Sequence, residues 1–147
     1  MKKDKAINIY FAGSIRGGRQ LAERYKEIIK YLGSIGHVYT EHVGDDQSIN
    51  IDLNTLSDKD IHDRDMKWII QSDVMVAEVS VPSLGVGYEI ASAISMNKPV
   101  LCLYNKNAEH GLSAMIAGSK EVSLIRYESF DQLKMAITQF LKDHSAN

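Results

Sequence analysis

Short β-rich apolar runs alternate along the chain with longer stretches in which apolar residues recur every three or four positions. The run INIYFA (7–12) leads through small residues into GGRQLAERYKEIIKYLGSIG (17–36), where Leu21, Tyr25, Ile28, Ile29 and Leu32 share one helical face. HVYTEH (37–42) alternates as a second strand, and VGDDQSINIDLNTLS has no clear period, which predicts a loop with the length of a lid or rim. SDKDIHDRDMKWIIQ (57–71) predicts a helix with Ser57 as N-cap, Asp60 in place of the usual capping-box Glu, and an apolar face of Ile61, Met66, Trp68, Ile69 and Ile70. DVMVAEVS (73–80) is near-continuously apolar, as a central parallel strand covered on both faces must be. Then follow a helix (86–97), the strand KPVLCLY (98–104), a short helix in GLSAMIAGS, the strand VSLIRY (122–127) and an amphipathic helix (129–144) carrying Phe130, Leu133, Ile137, Phe140 and Leu141 on one face. Strict alternation with right-handed crossovers predicts an α/β fold over 1–147: one domain with a doubly wound five-stranded parallel sheet, flavodoxin-like (Rossmann-like), in order 2-1-3-4-5.

Composition narrows the partners. The 147 residues are 44% hydrophobic and 24% charged with a formal charge of −2, the balance of an ordinary globular domain and not of a polyanion binder. Neither nucleic acid nor a membrane is expected as partner, so any anion must be held by a local site. The single cysteine, Cys102, rules out an intrachain disulfide and a Cys/His zinc cluster, and it reads as an inert core residue. With no targeting segment or membrane-length apolar run, a soluble cytoplasmic protein is expected, with the nucleus also open to a eukaryotic chain.

In such a sheet, ligands bind beyond the carboxyl ends of the strands, so the loops after strands 1 and 3 face one crevice. The first, GSIRGGR (13–19), combines glycines that let backbone approach a ligand with donors on Ser14, Arg16 and Arg19 suited to phosphate; without Gly-Lys-Ser/Thr it is no Walker loop. A bare tight turn with solvated arginines is the competing reading. The second, PSLGVGYE (82–89), lacks the third glycine of a dinucleotide fingerprint, so NAD is rejected. It projects Glu89 at a helix start, where the dipole would favour an ionised nucleophile; the alternative is a first-turn glutamate that only complements the dipole. Asp65 falls beside the apolar face of its helix, either a rim group or a second acid, while Asp60 and Asp63 read as solvated. Paired carboxylates are the minimal apparatus for cleaving a glycosidic bond, and a phosphate cradle beside them suggests a nucleotide.

The stretches YFAGSIRGGR (10–19), TEHV (40–43), IHDRDMKWI (61–69), DVMVAEVSVPSLGVGYE (73–89), KPVLCLY (98–104) and LSAMI (112–116) resemble, in order, the 2'-deoxynucleoside 5'-monophosphate N-hydrolases of the nucleoside 2-deoxyribosyltransferase superfamily. The resemblance implies that Glu89 is the nucleophile, that Tyr10 hydrogen-bonds its carboxylate, and that Asp65 acts on the sugar and as acid/base partner. It places Ser14, Ile15, Arg16, Gly17, Gly18 and Arg19 on the 5'-phosphate, joined by Ser83, Gly85 and Gly87. Ser113 matches a serine that reaches the phosphate of the neighbouring subunit, and Met115 of the same stretch joins the substrate contacts. It therefore implies a homodimer with shared active sites, and neither a metal nor an organic cofactor. The stretch 44–60 matches no motif and reads as the base-facing rim.

Two rival readings remain: a nucleoside 2-deoxyribosyltransferase, in which a second base intercepts the intermediate, and a nucleotide-binding module without turnover. The phosphate-suited turn favours the hydrolase over the first; the joint presence of Tyr10, Asp65 and Glu89 argues against the second. Ser83 does not lie in Gly-x-Ser-x-Gly and no His has a motif tying it to that serine, while His37, His42, His62, His110 and His144 lack metal-ligand spacing, reading as surface or strand-end residues, with His42 noted for ending strand 2. Trp68 and its apolar neighbours read as core or dimer contact.

Overall fold

The computed structural model describes residues 5–15, 19–40 and 55–145. Five strands, β1 (Asn8–Gly13), β2 (His37–Tyr39), β3 (Val74–Glu78), β4 (Val100–Asn105) and β5 (Val122–Tyr127), form an all-parallel sheet in the order β2-β1-β3-β4-β5. This is the expected 2-1-3-4-5 topology. The helices are α1 (Arg19–Gly33), α2 (Asp58–Gln71), α3 (Leu84–Ser95), the single-turn α4 (Ala114–Ala117) and α5 (Phe130–His144).

Alternation along the strands sorts the core into two layers. Ile9, Phe11, Val74, Val76, Leu101 and Leu103 face Tyr25, Ile28 and Leu32 of α1 and Leu133, Ile137, Phe140 and Leu141 of α5. Tyr10, Ala12, Met75, Ala77, Val100 and Cys102 pack on the opposite side, where α2 contributes Ile69 and α3 contributes Val86, Ile90 and Ala93. Tyr10 thus lies on the same side of the sheet as the helices that carry Asp65 and Glu89.

Local chemistry sets the element boundaries. The capping box of α2 is complete with Asp60 as its acid: Ser57 Oγ accepts from Asp60 N–H and the Asp60 carboxylate accepts from Ser57 N–H. Ile70 of the expected apolar face is 59% exposed; Ile69 is buried. Ser83 caps α3 by accepting from Val86 N–H at 3.3 Å, so this helix begins two residues earlier than the periodicity suggests. β2 ends at Tyr39, because Thr40 turns into the left-handed region at φ 70°. The expected continuation of that strand to His42 and most of the expected rim lie outside the described residues.

Two groups that look incidental in sequence organise the carboxyl edge of the sheet. Gly13, paired with Glu78 across β1 and β3, lies against Tyr25: a Cβ there would come within 2.8 Å of Tyr25 Cζ. This close approach lets Tyr25 Oη accept from Ser14 N–H at 3.0 Å, which pins the start of the turn. Glu78, hidden in the apolar β3 run, is fully buried; its carboxylate accepts from Ser80 N–H at 2.6 Å and from the Tyr127 hydroxyl. Burial pushes its pKa up, against the hydrogen bonds from Tyr127 and Ser80. Tyr25→Phe should strand the buried Ser14 N–H and destabilise the fold by about 1–3 kcal/mol, read as a lower Tm. An unchanged Tm would show that this hydrogen bond contributes nothing.

Candidate active site

At the carboxyl edge, Tyr10, Asp65 and Glu89 converge from three elements. Tyr10, 1% exposed in β1, is hydrogen-bonded to the Glu89 side chain. Burial foremost, then the nearby Glu89 and Asp65 carboxylates, raises the Tyr10 pKa, so its hydroxyl stays protonated and donates. Glu89 projects from α3, partly buried, with its pKa raised to about 7. Burial is the main cause, the Asp65 charge adds to it, and the Tyr10 hydrogen bond opposes both.

This corrects the expected placement of Glu89. It is the sixth residue of α3, beyond the first turn where the dipole acts, and its environment disfavours the ionised form instead of favouring it. The alternative of a first-turn glutamate falls with it. Asp65 accepts from Arg64 Nε at 3.1 Å, both side chains being largely buried. The Arg64 guanidinium lies 4.6 Å over the Trp68 ring, which stacks on Tyr39 with centroids 6.1 Å apart. Trp68 therefore packs, as expected, and its packing also holds Arg64 beside the acid.

Two cavities of about 410 Å³ each meet at Glu89, sharing Leu84, Gly85 and that carboxylate. One is walled by Gly13, Ser14, Ile15 and Ser83. The other is walled by Ile61, His62, Asp65, Met66 and Tyr88, with Asp58 at its edge. Of the turn residues expected at an anion, Ser14, Ile15, Ser83 and Gly85 are brought together; Arg16, Gly17, Gly18 and the Arg19 side chain lie outside the described residues. Gly87, Ser113 and Met115 line neither of these cavities but an adjoining apolar cleft of about 820 Å³ between α3 and α4. Met115 there is 82% exposed and Leu84 96%.

His62 was not among the expected site residues. It lies three positions before Asp65, one helical turn, and its Nε2 lies 3.0 Å from the Tyr88 hydroxyl. Its spacing from Asp65 was a usable signal, but Tyr88 on another helix was not visible as its partner. Among the described residues, no three His, Cys, Asp or Glu side chains gather as a metal site requires, and no helix is long and apolar enough to cross a membrane.

The chain is similar over most of its length to known proteins. It is 43% identical over 143 residues to a 5-hydroxymethyl-dUMP N-hydrolase of Danio rerio, covering 96% of this chain and 100% of that one. A Nematostella vectensis protein provisionally named 2'-deoxynucleoside 5'-phosphate N-hydrolase 1 is 53% identical over 113 residues, covering 76% of this chain and 77% of its own. The CMP N-glycosidase BcmB of Clostridium botulinum shares the fold with a TM-score of 0.65 at 20% identity, covering 91% of this chain and 99% of its own. The nucleoside 2-deoxyribosyltransferase family model matches residues 9–139, so the chain, bearing its acids at the carboxyl edge of this sheet, belongs to that family.

Proposed function

We propose that this enzyme hydrolyses the N-glycosidic bond of 2'-deoxynucleoside 5'-monophosphates, releasing free base and 2-deoxyribose 5-phosphate. The observation that carries the reading is the position of Glu89, bonded to Tyr10, within the field of Asp65, and at the junction of two cavities. A nucleotide laid across that junction, with its phosphate against Ser14, Ile15, Ser83 and Gly85, brings C1' over the carboxylate. The names of the relatives point to the same chemistry.

The steps use this chain's own groups. In the reacting form the one proton shared by the two coupled carboxyls sits on Asp65 and Glu89 is ionised. A Glu89 carboxylate oxygen bonds to C1' while the C1'–N bond breaks, its electron pair going to the base, which takes the proton from Asp65. Water then attacks C1', Asp65 takes its proton, and the C1'–O bond to Glu89 breaks, restoring the carboxylate. The missing 2'-hydroxyl eases the oxocarbenium-like transition state, so positioning contributes much of the acceleration. Tyr10 holds Glu89 in place and favours its ionised form. Ser14 N–H is committed to Tyr25, leaving the Ser14 hydroxyl for the phosphate, together with Arg16, Gly17, Gly18 and Arg19 of the turn. The exposed Leu84 and Met115 and the apolar cleft holding Gly87 and Ser113 fit a homodimer interface, through which Ser113 reaches the phosphate of the second subunit.

The test incubates the protein with deoxynucleotides, matched deoxynucleosides and ribonucleotides, with and without an acceptor base. Base release from deoxynucleotides alone, indifferent to acceptor, is the expected result; exchange on unphosphorylated deoxynucleosides, or no release at all, overturns the hydrolase reading.

A further inference from the structure

We propose that the His62–Tyr88 pair is the base-reading wall of the site and selects bases that present an exocyclic hydrogen-bond donor, an amino or hydroxyl group. This rests on the deoxynucleotide reading above. With C1' at Glu89 and the phosphate in the cavity made by the β1 turn, the base is left with the second cavity. Ile61, Met66 and Leu84 offer that cavity apolar surface suited to the faces of a planar ring. Its polar wall is built from both helices: His62 from α2 and Tyr88 from α3.

The hydrogen bonds orient that wall. Asp63 is held ionised by Lys59 and His62, and its Oδ1 lies 2.9 Å from His62 Nδ1. A carboxylate only accepts, so Nδ1 carries the proton. In the neutral imidazole Nε2 is then an acceptor, and at 3.0 Å it receives the Tyr88 hydroxyl proton. The Tyr88 oxygen is left with its lone pairs, an acceptor that a donor on the base satisfies and a methyl group cannot. The rings lie edge to face at 67° with centroids 5.6 Å apart, so the two side chains pack as one wall. Tyr88 directly precedes Glu89 in sequence, so this acceptor is carried on the same turn as the carboxylate.

The experiment compares substrates that differ in one donor: 5-hydroxymethyl-dUMP against dTMP, and dCMP against dUMP. In Tyr88→Phe, kcat/KM for the donor-bearing member should fall about tenfold while its partner changes by less than about threefold. His62→Ala should narrow the same ratio, because the freed hydroxyl turns either way. A pair with a merely structural role between α2 and α3 would lower both members equally, so equal losses or unchanged ratios overturn the proposal while leaving the hydrolase reading intact. Base release by neither wild type nor variants from any deoxynucleotide defeats both.

Discussion

With Glu89 in its proposed role of covalent nucleophile, Glu89→Gln is expected to lose turnover by on the order of 10⁴-fold or more while nucleotide binding survives. The amide keeps the shape and still accepts from Tyr10, but it cannot bond to C1' and later leave. Its stability should move the opposite way. The Glu89 pKa rises from 4.5 to about 7 on folding, so the folded chain binds this proton more tightly. Stability therefore falls as pH climbs from about 4.5 through 7 and stays lower above that, by up to about 3 kcal/mol. A glutamine has no such charge to bury, so the variant should melt higher than wild type at pH 8 and converge with it near pH 4.5. Calorimetry beside single-turnover assays checks both halves. Near-normal turnover would remove Glu89 as nucleophile, and a lower Tm at pH 8 would contradict the burial argument.

Asp65→Asn is expected to cost about 10²–10⁴ in kcat, through loss of the group proposed to exchange protons with the leaving base and the entering water. It carries a second, independent signature. The Asp65 charge is one of the forces raising Glu89, so its removal should shift the acidic limb of the kcat/KM profile below its starting point near 7. A slow variant whose acidic limb has not moved would mean that the two carboxylates are not coupled in the working enzyme.

Periodicity was enough to read the elements, because β3 and β4 are buried on both faces and each helix shows one apolar stripe; the sheet order followed from their strict alternation and the doubly wound topology it favours. Glu78 was lost inside the same signal: a lone acid at the end of VMVAE looks like a strand boundary until Tyr127, 49 residues on, is seen donating to it. Glu89 was found from its motif but misplaced, since two residues of added helix at Ser83 separate a first-turn carboxylate at a favourable dipole from a buried one with a raised pKa. Asp65 stayed ambiguous in sequence because its role depends on Tyr10 and Glu89, which reach it from other elements. His62 and Tyr88 escaped for the same reason, being ordinary surface types until two helices bring them together.

Cys102, the single thiol of the chain, sits in mid-β4 with no exposure, and burial pushes its pKa up to about 12. It packs in one layer with Met75, Ala77 and Val100, and its strand register sets it between Ala77 of β3 and Leu124 of the edge strand β5. The sulfur is covered as long as β4 keeps this packing, so alkylation is expected to follow the opening of that side of the sheet and not motions at the catalytic edge. The molecule thus carries an internal clock for the opening of its β4–β5 side.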